Sequence, residues 1–262
     1  MDLTVNRRKV FAATGGRPFE AALPTAIFLH GAGMDHTVWA LQTRYFAHHG
    51  HGVLAVDLPG HGRSGGQALE SVEAIADWLV RLMDKAKVAT AAIAGHSLGA
   101  FAALDLAARH PARVRALALL GAAPRMPVNP DLLAAAQADD HLAFELVTDW
   151  GHGRAGHLGG NVAPGLWVLG GGERLLERSR PGVLYGDLQA CDDYRDGLAR
   201  AAQVACPTLL VLGAEDRMTP ARAGRKLAGA IPGARVIEIL GAGHMMMTEK
   251  PDETLDALRT VF

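Results

Sequence analysis

Cysteine is scarce in this sequence, with only Cys191 and Cys206 among 262 residues. Two cysteines cannot make a disulfide framework, so we expect free thiols in a reducing compartment. The first residues also lack the apolar segment of a secretory signal, which favours a cytoplasmic location. No stretch offers the roughly 18 consecutive apolar residues that a membrane helix needs. We therefore expect no membrane partner.

An excess of charge of one sign is absent too. Lys and Arg total 26, Asp and Glu total 27, and the formal net charge is -1. No segment collects a run of basic residues, which disfavours nucleic acid and anionic membranes as partners. Hydrophobic residues make up 49% and charged residues 20% of the chain, an ordinary globular composition. The length suffices for one large α/β domain with an inserted lobe.

Short apolar runs alternate with longer helical patterns along most of the chain. The runs predict strands, since buried parallel strands read as nearly continuous apolar stretches. They lie at residues 25–30, 53–57, 90–94, 114–120, 208–212 and 235–239. Helices are predicted at residues 38–49, 71–85, 98–109, 221–230 and 252–261. With one or two antiparallel strands from the first ten residues, this alternation predicts a mostly parallel, doubly wound α/β sheet of about eight strands.

The region from residue 125 to residue 205 interrupts this alternation. It contains no convincing strand and is rich in Ala, Leu, Gly and Asp. A mainly helical insertion is therefore predicted between two core strands. We expect an α/β core from residues 1–124 and 206–262, and a helical cap from residues 125–205 that covers one end of the sheet.

The stretch AAIAGHSLGAFAA, residues 91–103, places Ser97 between Gly95 and Gly99 at a turn from a strand into a helix. This is the G-x-S-x-G pattern of a nucleophile elbow, in which the serine adopts a strained backbone conformation. The flanking glycines supply the space that such a turn needs. The amides at the start of the new helix favour negative charge nearby. Ser97 is therefore the candidate nucleophile.

A serine hydroxyl needs a base beside it to act as a nucleophile at neutral pH. Of the twelve histidines, His244 is the candidate because it lies in a glycine-flanked loop after the last predicted strand. In a parallel sheet, that loop opens at the same end as the elbow. The imidazole in turn needs a carboxylate to fix its tautomer. Asp216, after the preceding strand, is the candidate, and its neighbour Glu215 is the alternative.

A metal site is not indicated by the histidine spacing. His152 and His157 could approach a metal ion, but no Cys, Asp or Glu nearby completes a ligand set. The sequence therefore predicts no metal and no cofactor.

Five motifs resemble those of the α/β-hydrolase superfamily, in the branch with a helical cap. They are HGAG (30–33), DLPGHGRS (57–64), GHSLGA (95–100), GAEDRMTP (213–220) and GAGHMMMTEKP (241–251), and they occur in the family's order. The resemblance implies the α/β-hydrolase fold and a triad in the order Ser97, Asp216, His244.

The resemblance also implies roles for other residues. An oxyanion hole would be formed by the backbone N–H groups of Ala32 and Leu98. DLPGHGRS is expected to be a structural turn. Further candidates for the substrate pocket are Gly31, His96, Met245 and Arg125.

Residue identities narrow the reaction that the resemblance implies. Ser97 replaces the elbow Asp of epoxide hydrolases and haloalkane dehalogenases. Met245 stands where hydroxynitrile lyases have a lysine and meta-cleavage C–C hydrolases a tryptophan. The expected activity is hydrolysis of a small or medium, partly apolar carboxylic ester through an acyl-enzyme. The alternatives are a C–C bond or thioester hydrolase with the same triad, and a non-hydrolytic small-molecule receptor on the same fold.

Overall fold

The computed structural model describes residues 1–160 and 167–262. In this part of the chain one sheet of eight strands has the order β1-β2-β4-β3-β5-β6-β7-β8. The first two pairings, β1 with β2 and β2 with β4, are antiparallel, and all others are parallel. The strands are β1 (Asp2–Val5), β2 (Arg8–Ala13), β3 (Thr25–Leu29), β4 (Gly52–Val56), β5 (Ala91–His96), β6 (Val114–Leu120), β7 (Thr208–Gly213) and β8 (Arg235–Ile239). The predicted fold class is confirmed.

Strands β3 to β8 lie within two residues of their predicted positions. The agreement has a physical reason, because β3, β4 and β5 are buried at every residue. A strand covered on both faces needs apolar side chains throughout, and such runs are easily recognised in a sequence.

Helices cover both faces of the sheet. They are α1 (Ala40–His48), α2 (Val72–Lys85), α3 (Leu98–Arg109), α4 (Pro130–Gln137), α5 (Leu142–Gly151), α6 (Arg154–His157), α7 (Val168–Glu177), α8 (Val183–Asp193), α9 (Gly197–Ala201), α10 (Ala221–Ala228), α11 (Met246–Glu249) and α12 (Pro251–Leu258). Short 3₁₀ helices span His36–Trp39 and Pro111–Arg113. Among the described residues, none of the helices combines the length and apolar character needed to cross a membrane.

The alternation of side chains along the strands divides the core into two apolar layers. In β3, Ile27 and Leu29 face one layer, whereas Ala26 and Phe28 face the other. Successive strand residues point to opposite faces, so each layer receives every second side chain.

Cys191 and Cys206 are both free.

Helices α4 to α9 occupy the chain between β6 and β7. Helix α4 packs on α5 and α8, and α5 packs on α7. No strand occurs among the described residues of the predicted cap. Residues 161–166 of the predicted cap lie outside the described residues.

Candidate active site

Ser97 lies at the sharp turn between β5 and α3. Its backbone has φ 53° and ψ −116°, a left-handed conformation that favours glycine and is costly for a residue with a Cβ atom. The flanking glycines are required by close packing. A Cβ on Gly95 would overlap the carbonyl of Gly99, and a Cβ on Gly99 would lie 2.6 Å from the carbonyl oxygen of His30. The turn therefore holds Ser97 in one orientation at the end of the strand.

His244 and Asp216 are brought together by the loops that follow β8 and β7. The His244 Nδ1 atom lies 2.8 Å from Asp216 Oδ2, and both residues are buried. A carboxylate only accepts hydrogen bonds, so the imidazole carries a proton on Nδ1. That tautomer leaves Nε2 with a lone pair, as a general base requires. Glu215 is directed elsewhere, with Oε2 accepting from the Arg154 amide at 2.6 Å.

Thr219 holds the Asp216 carboxylate in place. Its Oγ1 donates to Asp216 Oδ2 at 2.7 Å and lies 3.2 Å from His244 Nδ1, while its amide donates to Asp216 Oδ1 at 2.7 Å. Burial by itself would raise the pKa of Asp216. The charge and hydrogen bond of His244, together with the bonds from Thr219, outweigh burial and lower the pKa below its ordinary value. The carboxylate is therefore ionised at neutral pH.

Ser97 and His244 line the same cavity, which has a volume of 330 Å³. The Nε2 atom of His244 is buried and has no hydrogen-bond partner within the described residues. The Ser97 hydroxyl does not form a hydrogen bond to it in this part of the chain. Bonds between nucleophile and base are often long before substrate binds. The arrangement places an unused base in the cavity that the serine lines.

The two backbone amides predicted for an oxyanion hole lie in the loop after β3 and at the start of α3. Ala32 follows β3 and lines the cavity, and Leu98 is the first residue of α3. Within residues 1–160 and 167–262, neither amide donates to another protein group. A free N–H at a helix start and a second from a neighbouring loop can stabilise an oxyanion.

The rest of the cavity wall is mainly apolar and comes largely from the insertion. Apolar lining residues of the insertion include Met126, Pro127, Val128, Leu132, Val147, Trp150, Leu175, Leu176 and Leu188, and those of the core include Met34, Met218 and Met245. The volume lies near the lower end of the ~300–1,000 Å³ typical of small-molecule sites. The cavity suits a small or medium, mostly apolar group.

Of the four predicted pocket residues, only Met245 lines the described cavity. Arg125 is exposed at the start of the insertion. His96 is fully buried behind the site, where its Nε2 lies 3.0 Å from the carbonyl oxygen of His244. Gly31 packs against His96, since an added Cβ would lie 2.8 Å from the His96 Nδ1. The sequence pattern identified the neighbourhood of these residues but not the direction in which each faces.

His152, considered in the sequence only as a metal ligand, lines the cavity from the end of α5. It is 3% exposed, and its Nδ1 donates to the carbonyl oxygen of Thr148 at 2.8 Å. Burial lowers the pKa of this imidazole, so it is neutral and its Nε2 can accept a hydrogen bond. The sequence signal for this contact is the spacing of Thr148 and His152, because residues four apart on a helix lie on the same face.

Glu249 joins the insertion to the loop that carries His244. Its Oε2 accepts from the Gly153 amide at 2.7 Å, and its Oε1 accepts from the Gly243 amide at 3.0 Å. The Met245 amide also donates to the Gly151 carbonyl at 3.0 Å. Glu249 belongs to the GAGHMMMTEKP motif, but its partners across the insertion could not be read from that motif.

Two clusters of the described residues could approach a metal ion, namely Asp35, His36 and Asp57, and His141, Glu173 and Glu177. Neither cluster lines the cavity that contains Ser97. Their polar atoms already pair with one another, with His36 Nδ1 2.7 Å from Asp57 Oδ1 and His141 Nε2 2.9 Å from Glu177 Oε1. We assign no metal to either.

Comparison with known proteins gives one family and a consistent set of relatives. The family model described as alpha/beta hydrolase fold matches residues 24–251. A pimeloyl-[acyl-carrier protein] methyl ester esterase of Aromatoleum aromaticum is 34% identical over 247 residues, covering 88% of this chain and 94% of that protein.

Two solved structures illustrate the similarity in three dimensions. An enol-lactonase from Burkholderia xenovorans LB400 has a TM-score of 0.87 at 24% identity, with 99% of this chain and 98% of that chain covered. At this identity the likeness concerns the fold alone. Est816, described as an N-acyl homoserine lactone degrading enzyme, has a TM-score of 0.82 at 26% identity, with 99% of both chains covered.

Proposed function

This chain belongs to the α/β-hydrolase fold family and is a hydrolase, and from this premise we propose that it cleaves a carboxylic ester. In the proposed mechanism Ser97 is the nucleophile, His244 the general base and Asp216 the carboxylate that orients His244. The observation that carries the proposal is the 2.8 Å contact between His244 Nδ1 and Asp216 Oδ2, with the opposite imidazole nitrogen free in the cavity that Ser97 lines.

The first half-reaction forms an acyl-enzyme. Ser97 Oγ attacks the ester carbonyl carbon as His244 Nε2 takes the hydroxyl proton, and the carbonyl oxygen becomes an oxyanion between the N–H groups of Ala32 and Leu98. Collapse of this intermediate breaks the bond to the alcohol oxygen. His244 gives its proton to the departing alkoxide, which leaves as the alcohol.

The second half-reaction returns the enzyme to its starting state. Water loses a proton to His244 Nε2 and attacks the acyl carbon, and the same two amides hold the second oxyanion. The acid then departs as His244 returns the proton to Ser97 Oγ. Asp216 stays ionised throughout and stabilises the imidazolium that forms in each half.

The cavity wall supports a small or medium, partly apolar substrate. Its lining is mainly Leu, Met and Val side chains around a volume of 330 Å³. The neutral His152 offers one hydrogen-bond acceptor on the insertion side. The relative of 34% identity is named for a methyl ester and the structure of 26% identity for a lactone, and both are carboxylic esters.

We also propose that residues 125–205 form a cap that selects the substrate. Most of the apolar cavity wall comes from this segment, whereas Ser97, Asp216 and His244 come from residues 1–124 and 206–262. With the catalytic residues in the core and the cavity wall in the cap, a different cap sequence can change the shape of the cavity without changing the catalytic residues.

The direct test is turnover of p-nitrophenyl butyrate. We expect steady hydrolysis by the purified protein, and a decrease in kcat of at least about 1,000-fold in Ser97→Ala, since the nucleophile of a triad contributes several orders of magnitude. Ser71→Ala is the matched control, because Ser71 caps α2 by accepting from the Ala74 amide and lies outside the cavity lining. Its kcat should stay within about twofold of wild type.

Absence of turnover in the wild-type protein with both p-nitrophenyl acetate and butyrate would contradict the ester-hydrolase proposal. Binding of these esters without turnover would favour a non-hydrolytic receptor. Rapid turnover of thioesters only would favour the thioester alternative.

A further inference from the structure

Asp187 of α8 is a buried carboxylate that the proposed mechanism does not use. The residue is 1% exposed, and its Oδ2 accepts from the Gly33 amide at 2.8 Å. The same oxygen lies 2.7 Å from His61 Nε2. Gly33 directly follows Ala32, and His61 belongs to the turn after β4. One carboxylate of the insertion thus joins two loops of the core, one of which supplies an amide to the proposed oxyanion hole.

The hydrogen bonds of His61 show that it is an imidazolium. Its Nδ1 lies 3.0 Å from the Pro59 carbonyl oxygen, and its Nε2 faces the Asp187 carboxylate. Both partners are acceptors only, so both ring nitrogens must carry hydrogen. Burial by itself would lower the pKa of His61, but the charge and hydrogen bond of Asp187 outweigh it and raise the pKa above its ordinary value.

Two further titratable groups face His61. Asp57, from the same segment after β4, also favours the charged form of His61. His30, directly after β3, packs against the His61 ring in a tilted arrangement with centroids 4.9 Å apart, and burial lowers its pKa to about 4. His30 is therefore neutral near pH 7. Asp187 and His61 form a buried ion pair.

Apolar side chains of the insertion also pack against Gly33. Gly33 has φ +68°, and an added Cβ would lie 3.0 Å from Leu184 Cδ1 and 3.1 Å from Leu176 Cδ2. Helices α7 and α8 therefore cover this residue while Asp187 binds its amide. The peptide plane that follows Ala32 is fixed from the insertion side.

We propose that Asp187 is a positioning residue, which orients the loop of Ala32 for the oxyanion hole through the Gly33 amide and the ion pair with His61. The inference rests on the proposed function, in which the Ala32 amide binds the oxyanion. Fixing the peptide between Ala32 and Gly33 restricts the backbone of Ala32. Because Asp187 belongs to the insertion, the oxyanion hole is complete only when the insertion is docked on the core. Substrate enclosure and oxyanion stabilisation are thereby coupled.

The test compares Asp187→Leu with Asp193→Leu. Asp193 lies on the same helix, is exposed, and contacts Gln189. For Asp187→Leu we expect kcat with p-nitrophenyl butyrate to fall by about 10- to 100-fold, less than the ~10²–10³-fold that loss of one oxyanion donor causes. KM should stay within about threefold, because an interaction made in the transition state changes kcat. Asp193→Leu should retain wild-type kcat and KM.

A transition-state analogue separates positioning from mere stabilisation of the fold. An alkylboronic acid forms a tetrahedral adduct with a nucleophilic serine, so its affinity for Asp187→Leu should fall by the same factor as kcat. Asp187→Asn guards against loss of the fold, since its amide oxygen can still accept from Gly33. This variant should lose less than about tenfold in kcat, because one of the two contacts persists.

The pH dependence of stability tests the ion pair itself. A raised pKa in the folded state means that the contribution of His61 is complete below its ordinary pKa of 6.5 and is lost as the pH rises through the folded-state pKa. The stability difference between wild type and Asp187→Asn should therefore decrease as the pH is raised from 6.5 through the folded-state pKa of His61. A difference that does not vary with pH would contradict a charged His61.

Other outcomes overturn the inference. A lower melting temperature in Asp187→Leu with unchanged kcat and boronate affinity would assign Asp187 a purely structural role. A raised KM with unchanged kcat would mean that Asp187 shapes the cavity instead. If the wild-type protein hydrolyses no ester, both the proposed function and this inference fail. If the wild-type protein hydrolyses esters but Asp187→Leu behaves as wild type, only the role proposed for Asp187 fails.

Discussion

At the scale of single residues, the candidate site depends on which hydrogen bonds His244 makes and which it leaves open. Asp216 and Thr219 surround Nδ1, whereas Nε2 has no partner within the described residues. The asymmetry fixes the tautomer, and a fixed tautomer is what a general base needs before substrate arrives. In the proposed mechanism the orienting carboxylate is therefore Asp216, which contacts the ring, and not Glu215.

The adjacent acidic residues provide a sharp comparison. We expect Asp216→Asn to lower kcat by about 10⁴-fold, as the corresponding change does in a serine protease, because the amide no longer fixes the correct tautomer. Glu215→Gln removes the same charge one residue away, where Oε2 binds the Arg154 amide. Its kcat should fall no more than about threefold. The measurement is the kcat of ester hydrolysis for both variants. A large decrease in Glu215→Gln with little change in Asp216→Asn would identify Glu215 as the functional carboxylate instead.

The residues at strand ends could be predicted from the sequence, and those on the insertion could not. Ser97, Asp216 and His244 each follow a predicted strand with glycine nearby, which locates them at one edge of a parallel sheet. Arg125 also follows a strand but is exposed, and His152 follows a helix of the insertion. Whether their side chains face a cavity depends on how short helices pack on one another, and no local pattern in the chain records this.

At the scale of elements, the turn from β5 to α3 stores backbone strain. Ser97 has a positive φ of 53°, and a residue held there costs roughly 1–3 kcal/mol. The cost is offset by the packing of α3, which is buried along its whole length from Leu98 to Ala108. The strained conformation, held by this packing, places the hydroxyl at the sheet edge.

This strain predicts a stability difference between two inactive variants. Ser97→Gly should be more stable than Ser97→Ala by about 0.5–2 kcal/mol, since glycine relieves the strain but gains some unfolded-state entropy. The control compares alanine and glycine at Ala134, an exposed position within α4. There glycine should be less stable by about 0.5–1 kcal/mol. Urea unfolding measures both pairs, and equal or reversed stability at residue 97 would mean that the turn is unstrained.

The strands and helices differ in how accurately their bounds could be predicted from the sequence. Strands β3 to β7 were located to within two residues because nearly every side chain in them is buried, whereas β8 is largely exposed. The described part of the insertion consists of short helices, including the four-residue α6. Helices of this length depend on tertiary packing more than on intrinsic propensity, so composition predicted the helical class but not the bounds.

At the scale of the whole molecule, topology brings distant residues together. Ala32, Ser97, Asp216 and His244 follow β3, β5, β7 and β8, which are parallel members of one sheet. The carboxyl ends of parallel strands share one edge, so residues spread over more than two hundred positions meet there. Residues of the insertion line the cavity beside Ser97 and His244. The order of the strands thus brings the candidate residues to one place, and in our proposal the insertion selects the substrate.

We propose above all that His244 activates Ser97, and covalent labelling tests this most directly. A fluorophosphonate should add once per chain, and mass spectrometry of the digested protein should locate the adduct on Ser97. The labelling rate should fall by at least about 1,000-fold in His244→Ala, because a serine without its base is a poor nucleophile. An adduct on another residue, no adduct at all, or an unchanged rate in His244→Ala would contradict the claim.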